Sequence, residues 1–251
     1  MRTLIVSDLH LQAKRPELTT LAISLFEKVA TDCDQLFIVG DLFEYWIGDD
    51  ARDNVATELA DHLRALTRKN VALYFMHGNR DFLLGEDYVG DIGGTLLRED
   101  IYITPLGGAP TMLMHGDTLC TDDTQYQFYR RMVRNADWQA DFLAKTVSER
   151  EATARMIRST SKARGNRQHR EGIADINEET FAETVRGQDV QRVIHGHTHR
   201  PAAHQHVIDG VPVERLVLGD WHSDHAIVAV CDDTRCDLVK WNGHEFSEAF
   251  A

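Results

Sequence analysis

The chain has 251 residues, 43% of them hydrophobic and 27% charged, which is the make-up of a globular protein that buries a sizeable core and not of a disordered one. Its formal net charge of −13 excludes broad, sequence-independent nucleic-acid binding, which needs a basic surface. Charges interrupt every hydrophobic run well short of the roughly 20 residues a membrane span requires, so the expectation is a chain at most peripheral to a bilayer.

Thr3 to Val6 reads as a buried strand that starts at once, with no secretory or transit segment, which points to the cytoplasm. A helical pattern follows from Leu18 to Thr31, then a strand from Gln35 to Val39. A second helical pattern runs from Asn54 to Arg68, with Leu59, Leu63 and Leu66 at three- and four-residue spacing, and a strand from Val71 to Met76 closes the series. This alternation favours a parallel sheet whose ligand crevice lies outside the strand carboxyl ends. A strand at Thr111 to Met114 comes next. The stretch from about Thr124 to Glu179 is helical in pattern, with aromatic residues early, and between Tyr126 and Arg170 it holds eleven Lys/Arg against four Asp/Glu. It is a basic insertion on an acidic body. Further strands are expected at Val190 to Ile194, Arg215 to Leu218 and Ala226 to Cys231, with turns at Val207 to Pro212 and Asp232 to Asp237 suggesting hairpins and a more antiparallel second half. Cys33, Cys120, Cys231 and Cys236 lack C-x-x-C spacing and are expected as reduced thiols. With no linker or repeat, residues 1–251 read as one domain, with residues 122–179 as a helical, basic lid within it.

Five predicted strands end in the same event, a ligand-capable side chain just past an apolar run: Asp8-Leu9-His10, Gly40-Asp41, Gly78-Asn79-Arg80-Asp81, His115-Gly116-Asp117 and His195-Gly196-His197-Thr198-His199. Residues two apart in extended chain project to one side, so Asp8 with His10, and His195 with His197, can each grip one ion. Mixed imidazole, carboxylate and amide donors suit manganese, iron or zinc better than calcium. Each motif alone is common, but turns that need Gly and Asn do not need His.

The ordered set D-x-H, G-D, G-N-[HR]-[DE], H, G-H-x-H resembles the calcineurin-like metallophosphoesterases. The resemblance implies an α/β fold, a four-layer α/β/β/α sandwich, and two metals, Mn2+ with Mg2+ as a substitute. It places Asp8, His10, Asp41 and His197 on one ion and Asp41, Asn79, His115 and His195 on the other, with His10, Asp41, Asn79 and Arg80 in catalysis. The stretches around Asp41, Asn79, His115 and His197 further resemble the branch of that family that cleaves the pyrophosphate of a UDP-sugar carrying two acyl chains, at the cytoplasmic face of the inner membrane. That resemblance assigns substrate contacts to Asn79, Arg80, Asp122, Ser161, Asn166, His169 and His195. At the His169 position the branch usually has Lys, so Arg167 or Arg170 could take the cationic role. Tyr126, Phe128, Tyr129, Met132, Val133, Trp138, Phe142 and Leu143 are candidates to line an acyl groove, or simply to pack the insertion onto the body.

Asp123 is expected to cap the first insertion helix, Asp117 to orient His115 or a turn, and His199, His204, His206, His225 and His244 to be structural. No nucleic acid or obligate protein partner is expected. Two other readings stand beside the lipid nucleotide: a family member acting on a soluble nucleotide or phosphoprotein, and a metal-binding scaffold without catalysis. The insertion speaks against the first and the full ligand set against the second.

Overall fold

A computed structural model describes residues 1–171 and 175–250, without the side chains at positions 30 and 160–171. In chain order the elements are β1 (Thr3–Val6), α1 (Pro16–Asp32), β2 (Gln35–Val39), α2 (Asn54–Arg68), β3 (Ala72–Met76), α3 (Glu86–Asp91), β4 (Thr95–Leu97), β5 (Ile101–Leu106) and β6 (Ala109–Met114). The insertion helices α4 (Thr124–Val133), α5 (Ala136–Leu143) and α6 (Val147–Glu171) follow. The chain continues through α7 (Glu178–Val185), β7 (Arg192–His195), β8 (Ala202–Ile208), β9 (Val211–Val217), β10 (Ala226–Cys231), β11 (Cys236–Trp241) and β12 (Phe246–Glu248).

Two sheets form, in the orders β12-β11-β10-β1-β2-β3-β4 and β5-β6-β7-β9-β8. Alternation along the strands assembles them into layers. In β1 and β2, Leu4, Val6, Leu36 and Ile38 face helices α1 and α2 in one core, while Ile5, Phe37 and Val39 meet Leu113, Ile194 and Leu216 of the second sheet in another. A third core packs Met112 and Val193 under Phe181 and Val185 of α7. Helices, sheet, sheet and helix therefore stack as the expected four layers. Both faces of the central strands are covered, which is why they read as unbroken apolar runs.

The expected parallel series β1, β2, β3 is present and extends to β4. The second half is more antiparallel, as expected, with hairpins β8–β9 and β10–β11 at the expected turns, but within it β6, β7 and β9 are mutually parallel, flanked by antiparallel β5 and β8. That parallel core matters, because it sends the carboxyl ends of β6, β7 and β9 to the same crevice as those of β1, β2 and β3. The thiol expectation fails at one pair. Cys231 and Cys236 face each other across the β10–β11 hairpin with Cα atoms 4.0 Å apart and are joined as a disulfide, whereas Cys33 and Cys120 are free. Sequence spacing could not show this, since cross-strand register created the contact. Among the described residues, no helix is long and apolar enough to cross a membrane.

Candidate metal centre and substrate cavity

The loops after β1 and β2 are zipped together by backbone hydrogen bonds, Asp8 N–H to Gly40 carbonyl at 3.1 Å, His10 N–H to Asp41 carbonyl at 3.0 Å and Leu11 N–H to Leu42 carbonyl at 3.0 Å. Buried Asp81 accepts from the N–H groups of Leu42 at 2.7 Å and Gly78 at 2.8 Å, which locks the β2 and β3 loops to each other. Asp81 is thereby committed to backbone donors, and Arg80 turns instead to Asp41, its N–H 2.8 Å from Oδ1 and its Nε 3.7 Å from Oδ2. A Cβ on Gly78 would collide with the Asp41 carboxylate, and one on Gly196 with Asp8 Oδ2 and Ser7 Oγ. These two glycines are places where only hydrogen fits.

Strain concentrates here. Asp8, His10, Asp41, His197 and His199 all have left-handed backbones, with φ of 56°, 49°, 57°, 66° and 53°. Such conformations cost of order 1–3 kcal/mol each in non-glycine residues and persist only where surroundings over-determine them. They aim the side chains inward at one another. The ligand atoms of Asp8, His10 and His199, and separately those of Asp8, Asp41 and His115, lie within 4.8 Å of one another. The His115 Nδ1–H donates to the Val39 carbonyl at 3.0 Å, so its Nε2 turns a lone pair toward the centre and accepts from the Asn79 amide nitrogen at 3.0 Å. The same nitrogen donates to His197 Nδ1 at 2.9 Å, and the Asn79 oxygen accepts from Arg80 Nε at 3.2 Å.

The histidine assignment from the sequence shifts by two residues. His195, expected as a ligand and substrate contact, is fully buried, its Nδ1 2.9 Å from the Gly196 carbonyl and its Nε2 3.3 Å from Arg215. His199, expected to be structural, lies with Nε2 3.2 Å from Asp8 Oδ1 and 3.2 Å from His10 Nε2. The signal was present: read from the glycine, Gly196-His197-Thr198-His199 is itself the G-H-x-H pattern, and the histidine before it ends a strand. Asp122 shifts likewise. It is exposed and accepts from Asn177 at 3.0 Å, whereas the neighbouring Asp123 both caps α4, accepting from Tyr126 N–H at 2.9 Å, and lines the cavity. The side chains of Ser161, Asn166 and His169, as of Arg167 and Arg170, lie outside the described residues.

Electrostatics follow from burial. Burial pushes the Asp41 carboxyl well above the usual carboxylate range, the nearby Asp81 and Asp8 adding to it against His115 and Arg80. Burial, the largest single influence, would raise Asp8 too, but the charge and hydrogen bond of His199 together with His115 and His10 outweigh it and hold it low. Burial opposes a charge on His199, yet Asp8 and Asp220 lift it to about 10. Burial depresses His197 to about 3 and His195 to about 4. Buried carboxylates gathered among imidazoles and an amide, with strained backbones aiming them inward, fit a cation site. Donor number and kind match two divalent transition ions.

From this centre a cavity of about 390 Å³ runs beneath the insertion. Asn79, Arg80, Asp123, His197, Glu44 and Arg158 give it polar walls, and Trp46, Ile47, Phe82, Leu83, Trp138 and Phe142 apolar ones. Of the expected groove residues, Tyr126, Tyr129, Trp138 and Phe142 line it. Val133 is buried in the core instead, and Phe128, Met132 and Leu143 face outward, so for these four the expectation of a lining role fails. Asp117 is tied to Tyr126 Oη at 2.5 Å and Arg130 Nε at 2.8 Å, fastening α4 beside His115.

The pattern describing the calcineurin-like phosphoesterases matches residues 1–201. The chain belongs to that family. It is similar to the UDP-2,3-diacylglucosamine hydrolase of Cellvibrio japonicus (strain Ueda107), 44% identical over 88% of this chain and 92% of that protein. It is also similar to the UDP-2,3-diacylglucosamine hydrolase of Stenotrophomonas maltophilia (strain R551-3), 43% identical over 92% and 95%. Among solved structures, Vps29 of Chaetomium thermophilum aligns over 96% of this chain and 88% of its own at a TM-score of 0.48 and 10% identity, too loose a likeness to bear on function.

Proposed function

We propose that this protein hydrolyses the pyrophosphate bond of UDP-2,3-diacylglucosamine to UMP and 2,3-diacylglucosamine 1-phosphate, at the cytoplasmic face of the inner membrane. The observation that carries this reading is one cavity lined both by polar and charged side chains that include Asn79, Arg80 and His197 and by apolar, aromatic ones. A soluble nucleotide needs only the first, and a phosphoprotein neither the depth nor the aromatic lining. The relatives named above carry that substrate in their names.

We assign Asp8, His10, Asp41 and His199 to one ion and Asp41, Asn79, His115 and His197 to the other, with manganese as the metal and magnesium as a substitute. Such ions, when bound, acidify water and offset phosphoryl charge. The rest belongs to the chain. The Arg80 guanidinium, at the cavity wall and beside Asp41, offers planar donors to phosphoryl oxygens as charge develops. Asp41, which would serve both ions, is held in place by the Arg80 N–H. Asp123 and Arg158 line the cavity, and Ser161, Asn166 and His169, whose side chains lie outside the described residues, are assigned as substrate contacts by the resemblance alone. Trp46, Phe82, Trp138 and Phe142 take the acyl chains and exclude water. Residues 122–179 act as a lid, and their cations draw the protein to an anionic bilayer by about 1 kcal/mol for each that reaches it.

The test is UMP release by metal-stripped protein with manganese or magnesium restored, comparing UDP-2,3-diacylglucosamine with UDP-N-acetylglucosamine. Metal-dependent release from the lipid substrate alone is expected. Activity on a generic phosphodiester with none on the lipid nucleotide would discard the substrate and keep the centre.

A further inference from the structure

His195 ends β7 inside the protein, two residues before His197, and the chemistry above leaves it without a task. Its Nε2 faces Arg215 Nη1 at 3.3 Å and its Nδ1 the Gly196 carbonyl at 2.9 Å. Arg215, on β9, is itself buried, with Nε donating to His206 Nε2 at 3.1 Å, Nη2 3.7 Å from Glu178 Oε1 and the guanidinium 5.6 Å from the Phe181 ring centre. A guanidinium donates and never accepts, so both imidazoles must present a lone pair at Nε2 and carry their proton at Nδ1. The other ring nitrogens agree. His195 Nδ1 meets a carbonyl, and His206 Nδ1 lies 3.5 Å from Glu178 Oε2, both acceptors only.

The Gly196 peptide that His195 grips is held on every side. Its N–H donates to the His115 carbonyl at 2.9 Å, and its carbonyl also takes the Thr198 N–H at 2.8 Å. Next to it, the His197 N–H donates to Asp8 Oδ2 at 2.9 Å. The two residues that follow in the pincer, His197 and His199, sit in left-handed conformations that relax unless something fixes the peptide before them. A buried arginine with an incomplete ion pair is also a poor way to fill space, since hydrocarbon of similar volume avoids the desolvation cost. What the arginine adds is direction.

We propose that Arg215 and His195 are positioning residues: Arg215 fixes the His195 tautomer, and the His195 Nδ1–H pins the Gly196 carbonyl so that His197 and His199 keep the geometry that holds metal. The proposal rests on the metal assignment made above. It is tested by manganese binding to metal-stripped protein, read by the electron paramagnetic resonance of free ion, together with melting of the metal-free forms. Arg215→Lys loses the fixed planar fork that reaches both imidazoles, and is expected to weaken manganese binding about 10- to 100-fold, the usual range for an outer partner of a ligand. Turnover should return toward the unmodified level once manganese saturates. His195→Asn keeps an N–H near the Nδ1 position and should lose less affinity than His195→Phe. That ordering also serves if Arg215→Lys fails to fold. Unchanged manganese affinity in the folded variants, whatever their melting temperatures, would reduce the pair to core packing and overturn the proposal. No manganese uptake by the unmodified protein would overturn the metal assignment itself, a different result.

Discussion

The ligand cradle and the helical insertion share one cavity but are built on opposite plans. The cradle is backbone work: loops zipped by N–H to carbonyl bonds, two glycines with no room for a methyl, and five non-glycine residues held at positive φ. The insertion is side-chain work. Arg130 reaches Asp117 and Asp100, Arg134 the Gly78 carbonyl at 2.9 Å, Arg150 the Ile47 carbonyl at 2.6 Å and Arg158 the Glu44 carboxylate, while Phe128 and Met156 remain 66% and 65% exposed. Chemistry that tolerates little displacement is fixed by elements that cannot move far without breaking several hydrogen bonds. In the proposed reading, selection of the substrate falls to the insertion, which is held by side chains.

The sharpest way to break this contrast is to strike the cradle. Asn79→Ala and His10→Ala should each lower kcat by about a thousandfold or more, the scale of several kcal/mol of charge stabilisation, with melting changed little. Near-normal turnover by either purified variant would sink the ligand assignment. Arg80→Ala comes next, expected to cost about 10²- to 10³-fold in kcat, as for loss of one preorganised donor, with metal content intact. Loss of bound metal in that variant would show instead that the arginine belongs to the cradle.

How much of this could be read from the sequence follows the same division. Asp8, His10, Asp41, Asn79 and His115 were legible because each follows an apolar strand at fixed distance, and parallel strands deliver such positions to one edge. The shift from His195 to His199 was a matter of where β7 ends: a strand running through His195 buries that ring and starts the loop at Gly196. The cystine at Cys231 and Cys236 depended on cross-strand register, as did the parallel pairing of β6, β7 and β9. In the insertion, composition announced a basic and aromatic segment but not which way each ring points. Trp138 turns inward against Phe82, far away in sequence, while Phe128 stays exposed.

The insertion then offers the next test. Trp138 stacks on Phe142, their ring centres 5.1 Å apart, and both line the cavity. Trp138→Ala should raise KM for the lipid nucleotide by about tenfold, within the range of lost apolar pocket contacts, and leave hydrolysis of a small chromogenic phosphodiester unchanged. Removing the helices between Thr124 and Glu179 should carry the same split to its limit. An equal fall on both substrates would mean that the insertion supports the centre as well as the selection.

The smallest expected effect is a pH dependence, and it returns to His199. Burial works against its charge, but Asp8 and Asp220 raise it from 6.5 to about 10. A group raised on folding contributes stability that is fully present below its unfolded value, near 6.5, and that is lost as pH climbs through about 10. Metal-free protein should therefore melt a few degrees lower at pH 9.5 than at pH 7, on the scale of about 2–4 °C per kcal/mol for a chain of this size. His199→Gln should melt lower at pH 7 and lose this dependence. Manganese affinity should move the other way over the same window, rising with pH, because a proton on His199 competes with the ion. The two trends have one cause seen from opposite sides: the metal-free protein keeps a proton on the group that the proposal gives to the metal. A dependence identical in the His199→Gln variant would place that proton elsewhere in the cluster, and with it the choice of His199 over His195 would lose its support.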